Sequence, residues 1–322
     1  MNQSIAFPHL GIYLNNVGSS FKIGGFTVAF YGVTLGIAIL VGILIAAWRA
    51  KKTGQSPDLY YDLAIYSVIS GVLGARIYYV IFTWSYYKDH LGEIINLRQG
   101  GLAIYGGVIG AVIAVLVYSK VKKIKPAVLL DTAGCGLVVG QMIGRWGNFF
   151  NREVFGRYTD GLFAMRIPLS AARMSDVSDE MLQNAQTIDG MEYIQVTPTF
   201  LYESALCLVI FILMLWYAKH KKFDGEVFVF YAFCYGVGRF FIEGIRTDQL
   251  KIPGTNLPVS QVLAGVAAVV CLGIILAGRI GLFSKNNEKM IIEESEALEK
   301  ESASAVAVEN NEEKKEVNTE IP

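Results

Sequence analysis

The chain has 322 residues, of which 53% are hydrophobic and 17% are charged, and its mean hydropathy is +0.42. This composition excludes an ordinary soluble domain and predicts a protein that crosses a membrane several times. The net charge of zero conceals an uneven distribution, because residues 284–322 contain 11 Glu, 5 Lys and neither Asp nor Arg. Their charge of −6 balances a charge of +6 on the rest of the chain. We expect membrane lipids as partners and no nucleic acid.

Seven apolar segments are long enough, or nearly long enough, to cross a bilayer about 30 Å thick, which takes roughly 20 helical residues. They lie at about 25–48, 60–82, 102–119, 127–145, 199–218, 226–243 and 260–281. Lysine and arginine follow the first, third, fifth and seventh segments, as in Arg49, Lys51 and Lys52 after the first. Such clusters mark the cytoplasmic side. The predicted fold is therefore an all-α integral membrane protein with seven transmembrane helices, its N-terminus outside and its C-terminus cytoplasmic.

Two segments outside these spans differ in composition. Residues 146–198 form the longest connection, between the fourth and fifth spans, and we expect a small external head there, with short strands near 162–167 and 191–196. Residues 284–322 are rich in Glu and poor in aromatic side chains, which is typical of a disordered tail. The predicted organisation is a seven-span domain at 1–283 and an acidic cytoplasmic tail at 284–322. No cleavable signal peptide is expected, because the first apolar run is too long and lacks a basic start.

Neither the cysteines nor the histidines have the spacing of a metal site. The four cysteines all fall inside apolar runs, where we expect buried, unpaired thiols: Cys135, Cys207, Cys234 and Cys271. The three histidines are scattered along the chain: His9, His90 and His220. The sequence therefore predicts no disulfide, no metal and no other cofactor.

A polar cluster lies at 140–156, where the fourth span ends. Arg145, Asn148 and Glu153 can make strong hydrogen bonds, and the aromatic residues beside them, Trp146 among them, are typical of a membrane–water interface. Glycines at four-residue spacing precede the cluster and let two membrane helices approach closely: Gly136, Gly140 and Gly144.

A second polar group lies near the outer end of the sixth span. Tyr235, Arg239 and Glu243 recur every four residues, which aligns them on one side of a helix, and Arg246 follows. One interpretation is a structural ion pair with an interfacial tyrosine. The other is a functional site, because charges at membrane depth are costly and mark a partner. In the second case this stripe and the cluster around Arg145 converge on one anion, a phospholipid headgroup, whose phosphate suits the planar guanidinium.

Four further positions are open to two interpretations or give only a weak signal. The glycine-rich stretch 100–107, which contains Tyr105, offers free amides to an anion or serves packing alone. Arg76, within the second span, either lines a polar cavity or pairs structurally. Glu203, just inside the fifth span, is either a functional residue or an internal hydrogen-bond anchor. Tyr31, in the outer third of the first span, can point its hydroxyl inward.

Four segments stand in this order along the chain: Gly-Gly-Leu-Ala-Ile-Tyr-Gly-Gly at 100–107, Gly-Arg-Trp-Gly-Asn-Phe-Phe-Asn-Arg-Glu-Val-Phe-Gly at 144–156, Pro-Thr-Phe-Leu-Tyr-Glu at 198–203 and Tyr-Gly-Val-Gly-Arg-Phe-Phe-Ile-Glu at 235–243. Together they resemble the motifs of the prolipoprotein diacylglyceryl transferase family. The resemblance covers about residues 5–282, and the ordered set is highly specific. The tail has no counterpart in the family pattern.

The resemblance implies a multi-pass enzyme of the bacterial cytoplasmic membrane. Its expected reaction transfers the sn-1,2-diacylglyceryl group of phosphatidylglycerol to the lipobox cysteine thiol of a prolipoprotein, with glycerol phosphate as the second product. By motif match the functional positions of the family fall on the following residues: Arg145, Asn148, Glu153, Gly156, Tyr235, Arg239 and Glu243, with Tyr31 at a further tyrosine position.

Two positions depart from the family pattern. Many members have histidine where this chain has Tyr105, and that histidine has been proposed as the base that activates the thiol. Many also have histidine where this chain has Thr197. An imidazole base is therefore absent at both places.

The chemistry assigns expected roles to these side chains. Arg145 and Arg239 stabilise the leaving phosphate, because preplaced guanidiniums bind the growing negative charge. Glu243 orients Arg239, and Tyr105 or Tyr235 receives or relays the thiol proton. The expected phosphatidylglycerol-binding residues are Arg145, Asn148, Glu153, Gly156, Tyr31, Arg239 and Arg246.

The main alternative is a membrane transporter or lipid flippase, which would also place arginines in a membrane cavity. Transporters usually show internal repeats or broken helices at the midplane, and this chain shows neither clearly. A headgroup transferase that uses a metal and paired aspartates is disfavoured further, because the sequence has no Asp/His cluster.

Overall fold

The computed structural model describes residues 4–97 and 100–282, so the predicted acidic tail lies outside the described residues. The helices within these ranges are α1 (Phe30–Lys52), α2 (Asp58–Phe82), α3 (Trp84–Tyr87), α4 (Ile104–Lys122), α5 (Pro126–Gly144), α6 (Trp146–Asn151), α7 (Asp179–Gln183), α8 (Thr199–Tyr217), α9 (Glu226–Glu243) and α10 (Val259–Arg279). The strands are β1 (Ile5–Phe7), β2 (Ile12–Leu14), β3 (Ser20–Ile23), β4 (Phe26–Ala29), β5 (Met165–Pro168), β6 (Gln186–Ile188) and β7 (Met191–Val196).

Six helical stretches of the described chain are long and apolar enough to cross a membrane: α1, α2, α4, α5 continued by α6, α8 and α10. The first predicted span started too early, because residues 26–29 pair with β3 as strand β4. The predicted sixth span is α9, which has only 18 residues and carries Glu226, Arg239 and Glu243. Its three charged residues keep it out of the six, so the composition of the helices alone gives six candidate spans.

A small antiparallel sheet forms a head from two N-terminal strands and three strands of the connection between α6 and α8. Its strand order is β2-β1-β5-β7-β6. Strand β7 coincides with the predicted strand at 191–196, and β5 overlaps the one at 162–167. The N-terminal strands were not predicted, and β1 enters the sheet through the pair Ala6–Arg166. Buried apolar side chains under this sheet include Ile5, Phe155, Met165, Ile167, Met181, Ile194 and Val196.

Helix α5 packs directly against α1 through glycine. A Cβ atom on Gly42 of α1 would lie 2.9 Å from the carbonyl oxygen of Gly136, so no larger residue fits at this crossing without a shift. A Cβ atom on Gly140 would lie 3.3 Å from the carbonyl oxygen of Ala38. These two positions confirm the predicted close approach, whereas Gly144 has no such neighbour within 4 Å. The crossing holds the end of α5, where Arg145 follows.

Arg76 has a structural role. Its buried guanidinium, within α2, donates at 2.7–3.1 Å to backbone carbonyl oxygens of the segment before α4: Glu93, Ile94, Asn96, Gly100 and Gly101. All the nitrogens of the guanidinium are engaged in this way. Of the two interpretations of Arg76, the structure favours structural pairing.

Buried carboxylates hold the helix ends at the start of α9. Asp131 of α5 accepts hydrogen bonds from the backbone N–H groups of Gly225 (2.9 Å) and Phe228 (3.0 Å) and from the Lys221 ammonium (3.2 Å). Glu226 is fully buried and accepts the Tyr217 hydroxyl at 2.8 Å. These contacts satisfy amide donors that a helix start leaves without intrahelical partners.

The cysteines match their prediction in part, because two of the four are not fully buried. All four are free thiols, and Cys135 and Cys207 are fully buried inside the helical bundle. Cys234 and Cys271 are partly buried. They behave as small apolar side chains of the bundle.

Candidate active site

The site begins at the junction of α5 and α6, where Arg145 separates the two helices. After α6 the backbone turns sharply, and Arg152 and Val154 have left-handed φ angles of 53° and 60°. This conformation is costly for side chains other than glycine, above all for a β-branched one. The buried Arg152 guanidinium, which donates to the carbonyl oxygen of Val17, helps to hold it. The turn brings Glu153 back to α6.

Glu153 is tied to α6 by its own neighbours. The Nδ2 atoms of Asn148 and Asn151 each donate to Glu153 Oε1 at 3.2 Å. The backbone N–H of Glu153 donates to the carbonyl oxygen of Asn148, also at 3.2 Å. The second carboxylate oxygen of Glu153 accepts no hydrogen bond from the described residues. Asn148 and Glu153, both predicted site residues, therefore form one polar unit three residues beyond Arg145.

Glu203 connects the two predicted arginines. It lies in the first turns of α8, and only 1% of its surface is exposed. One carboxylate oxygen accepts a hydrogen bond from Nη1 of Arg239, and the other makes an ion pair with Nε of Arg145 without hydrogen-bond alignment. A single buried carboxylate thus holds side chains from α5 and α9. The anchor interpretation of Glu203 is confirmed, and the groups that it anchors are the two arginines.

The chain of charges continues beyond Arg239. Its Nη2 atom lies 2.6 Å from Oε2 of Glu243, one helical turn away, and Glu243 also meets Nη1 of Arg246 at 3.3 Å. Arg246 binds Asp248 through two hydrogen bonds of 2.9 and 2.7 Å. Burial alone would raise the pKa of Asp248, but the hydrogen bonds and charge of Arg246 outweigh it and lower the pKa below its ordinary value.

We call this set the arginine–carboxylate cluster: Arg145, Arg239, Arg246, Glu203, Glu243 and Asp248. Its charges alternate and sum to zero, which reduces the cost of burying them. The hydroxyl of Tyr235 accepts a hydrogen bond from Nη2 of Arg145 at 3.2 Å. Tyr235, Arg239 and Glu243 therefore do form the helical stripe predicted from their spacing, and Arg145 joins it from α5.

Exposure is uneven within the cluster. The side chains of Arg145 and Arg239 are 23% and 17% exposed, whereas those of Glu203 and Glu243 are only 2–3% exposed. Nη1 of Arg145 makes no hydrogen bond with any described residue. The carboxylates are thus more deeply buried than the guanidiniums. Both terminal nitrogens of Arg239 face carboxylates, so the nitrogen open to an incoming anion is Nη1 of Arg145.

Gly156 connects the head to the cluster through backbone contacts. Its N–H donates to the carbonyl oxygen of Thr197 at 2.9 Å, and its backbone bridges to Arg246. A Cβ atom here would lie 2.9 Å both from the carbonyl oxygen of Ile245 and from Cβ of Thr197. Glycine is required at this position because three backbone segments meet there. A contact of Gly156 with lipid stays a prediction.

The two remaining tyrosines lie in different surroundings. Tyr31, near the start of α1, packs its ring over Gly147, where an added Cβ atom would lie 2.7 Å from that ring. Tyr31 is therefore adjacent to the segment that bears Arg145 and Asn148. Tyr105, at the start of α4, is 48% exposed, and its described ring contact is with Tyr78 of α2 at 6.5 Å. No described contact joins Tyr105 to the arginine–carboxylate cluster.

Asp248 was not singled out from the sequence. It follows Arg246 by two residues in a loop, where no periodic pattern signals a contact. Glu203 gave a stronger signal, because a carboxylate inside an apolar helix is costly unless it has a partner. The described residues contain no group of three His, Cys, Asp or Glu side chains placed to hold a metal ion.

Comparison with known proteins identifies the family. The family model described as prolipoprotein diacylglyceryl transferase matches residues 19–277. A protein from Listeria welshimeri is 40% identical over 259 residues, which are 80% of this chain and 88% of the relative. One from Clostridioides difficile is 37% identical over 275 residues (85% and 98%), and one from Bacillus licheniformis is 36% identical over 260 residues (81% and 91%). All three are named phosphatidylglycerol–prolipoprotein diacylglyceryl transferase. As the motifs implied, the chain belongs to the prolipoprotein diacylglyceryl transferase family of integral membrane enzymes.

Proposed function

We propose that this protein transfers the sn-1,2-diacylglyceryl group of phosphatidylglycerol to the lipobox cysteine thiol of prolipoproteins, the first step of lipoprotein maturation. Family membership supports this reaction, and its substrates are those in the names of the relatives. The observation that carries the chemistry is the buried Glu203, which holds the partly exposed side chains of both Arg145 and Arg239. That arrangement suits the phosphate of a lipid headgroup.

In the proposed reaction, the thiol loses its proton and the sulfur forms a bond to the terminal glyceryl carbon of the diacylglyceryl group. The bond from this carbon to the phosphate oxygen breaks, and glycerol phosphate leaves with the electron pair. Negative charge grows on the phosphate oxygens during this step. Arg145 and Arg239 are placed before the reaction begins, so they stabilise the transition state more than the neutral thiol and bound lipid.

The carboxylates of the cluster are positioning residues in this proposal. Glu203 fixes both guanidiniums, and Glu243 fixes the second one through its 2.6 Å contact with Arg239. Arg246 holds Glu243 from the other side and is itself oriented by Asp248. The charges of the cluster are balanced internally, and the additional anion binds at the partly exposed Arg145 and Arg239.

The remaining predicted lipid contacts lie along α6. Asn148 and Glu153 present hydrogen-bonding groups beside Arg145. The ring of Tyr31 covers α6 at Gly147, between Arg145 and Asn148. We assign these groups to the glycerol hydroxyls of the headgroup, which need donors and acceptors rather than charge. Gly156 supports them by keeping the head close to the segment after α9.

The proton has two candidate acceptors, and the contacts favour one of them. The hydroxyl of Tyr235 accepts a hydrogen bond from Arg145 at 3.2 Å, so it can take the thiol proton while it passes its own proton to the departing glycerol phosphate. Tyr105 has no described contact with the cluster and lies beside α2. We therefore assign the proton relay to Tyr235, with Tyr105 lining the approach of a substrate.

We also propose that α9 completes a seven-span topology. Its three charged residues are paired inside the bundle: Glu226 with Tyr217, and Arg239 and Glu243 with the cluster. Because these charges are paired, the free-energy cost of placing them in the membrane is smaller than the composition of α9 alone suggests. The basic residues at the ends of α1, α4, α8 and α10 then lie on the cytoplasmic side, with the head outside.

Incubation of the purified protein with labelled phosphatidylglycerol and a lipobox peptide tests the function directly. We expect a thioether-linked diacylglyceryl peptide and glycerol phosphate in equal amounts. A transporter or lipid flippase would instead move solute or lipid across a vesicle membrane and leave the peptide unmodified. Flux without peptide modification would overturn the proposal.

A further inference from the structure

A second polar cavity, of about 250 Å³, lies at the other end of α5 from the arginine–carboxylate cluster. It forms where α1 and α5 meet the connection between α8 and α9. Its polar lining consists of Arg49, Thr53, Gln55, Asp131, Thr132 and Lys221. Asp131 precedes Arg145 by 14 residues, or about 21 Å at 1.5 Å per helical residue, so this cavity is separate from the proposed active site.

The cavity carries a positive charge that the described residues do not neutralise. Asp131 is the single carboxylate of its lining, and it is already satisfied by Lys221 and by the N–H groups of Gly225 and Phe228. Lys221 also pairs with Asp224 at 3.6 Å, so the charge left over is that of Arg49. Arg49 is half-buried, and its guanidinium makes no ion pair or hydrogen bond with any described side chain or backbone group. Partial burial of an unpaired charge is unfavourable. An anion in the cavity would remove this cost.

Neutral hydrogen-bonding groups are fixed around the same cavity. The Gln55 amide nitrogen donates to the hydroxyl oxygens of Thr53 and Thr132, both at 2.9 Å, and the hydroxyl of Tyr60 donates to the Gln55 carbonyl oxygen. Thr132 is 2% exposed, so this network is part of the folded core. A rigid polar wall beside an unpaired guanidinium is the arrangement expected of a built binding site.

We propose that this cavity binds a phosphate group. The planar fork of Arg49 can hold two phosphate oxygens. The Lys221 ammonium lines the same cavity, but it is already paired with Asp131 and Asp224. The phosphate belongs either to a phospholipid headgroup of the adjacent leaflet or to free phosphate in solution. The site holds its ligand without any part in the transfer reaction, because the proposed reacting groups lie at the other end of α5.

Two matched variants test the site in the full-length protein. Arg49→Gln removes the unpaired cation, whereas Lys51→Gln removes an exposed cation two residues away that does not line the cavity. Gln55→Glu adds a negative charge to the wall of the cavity without changing the shape of the side chain. It tests phosphate binding independently if Arg49→Gln fails to accumulate. In one arm, inorganic phosphate is titrated into protein held in phosphatidylcholine nanodiscs and followed by calorimetry. In the other, native mass spectrometry counts phosphatidic acid retained from doped nanodiscs.

We expect Lys51→Gln to bind like the unmodified protein, and Arg49→Gln and Gln55→Glu to bind at least about tenfold more weakly. A loss in the phosphatidic acid arm assigns the site to lipid headgroups, and a loss in the inorganic phosphate arm assigns it to soluble phosphate. Equal binding by all three variants in both arms, or no binding by the unmodified protein, overturns the proposal. Neither arm measures diacylglyceryl transfer. Any phosphate bound at the arginine–carboxylate cluster is common to all variants, so the loss in Arg49→Gln and Gln55→Glu relative to Lys51→Gln reports on this cavity alone.

Discussion

Replacing Arg239 by lysine separates the geometry of the guanidinium from its charge. In the folded protein Nη1 meets Glu203, and Nη2 lies 2.6 Å from Glu243. A lysine ammonium keeps the charge but lacks the planar fork, so it cannot serve two carboxylates and a phosphate in the same arrangement. Loss of a contact that strengthens in the transition state costs about 3 kcal/mol or more, which is a factor of at least about 100 in rate. We expect that loss in Arg239→Lys at normal abundance.

Arg145→Lys should give a similar loss, because Arg145 also uses two nitrogens, one toward Glu203 and one toward Tyr235. The assay is transfer of labelled phosphatidylglycerol to a lipobox peptide, normalised to folded enzyme. Arg76→Lys is the control, since Arg76 also lies in an apolar helix and is more deeply buried, but donates only to backbone carbonyl groups. We expect this control to lower abundance or thermal stability and to leave the turnover of each folded molecule unchanged.

Near-wild-type turnover in both Arg145→Lys and Arg239→Lys would refute the proposal that the two guanidiniums bind the phosphate of the lipid. A fall in abundance with normal turnover per folded molecule would instead identify the cluster as a structural ion-pair network. The structure makes these outcomes distinguishable, because the carboxylates behind Arg145 and Arg239 are fully buried while the arginines themselves are partly exposed.

Four further predictions concern other parts of the chain. Glu203→Gln keeps the shape of the side chain but leaves two guanidiniums without their shared carboxylate. We expect it to lower the free energy of unfolding by about 3–5 kcal/mol and to abolish most diacylglyceryl transfer. Unchanged thermal unfolding would contradict this. Gly156→Ala places a Cβ atom 2.9 Å from a backbone carbonyl oxygen, and overpacking of this kind costs about 1–3 kcal/mol, measurable by thermal unfolding against Gly144→Ala, where space is open. In a cysteine-free background, cysteine at Ser175 should react with an impermeant reagent outside intact cells and cysteine at Lys52 only after lysis; the reverse pattern rules out the proposed orientation. Deleting residues 286–322, which lie beyond the family match at 19–277, should change turnover by less than about tenfold, and a larger loss at normal abundance would reveal a functional element in the tail.

The positions of most helices were predictable because membrane insertion depends on the hydropathy of about 20 consecutive residues, which is a local property of the chain. The pairing of Arg239 with Glu243 was predictable for a similar reason, since residues four apart share one side of a helix. The motifs identified the family correctly. The same local logic failed at Phe26–Ala29, where an apolar run pairs with β3 instead of extending α1.

Which buried polar groups meet depends on contacts between segments that are distant in the chain. Glu203 and Arg239 are 36 residues apart, and Arg152 and Val17 are 135 apart, so no local pattern couples either pair. Hydrophobic patterning specifies which helix faces are buried, but it does not specify which neighbour a buried carboxylate will find. That choice follows from the packing of α5, α8 and α9, because a buried charge stays buried only where a partner of opposite sign reaches it.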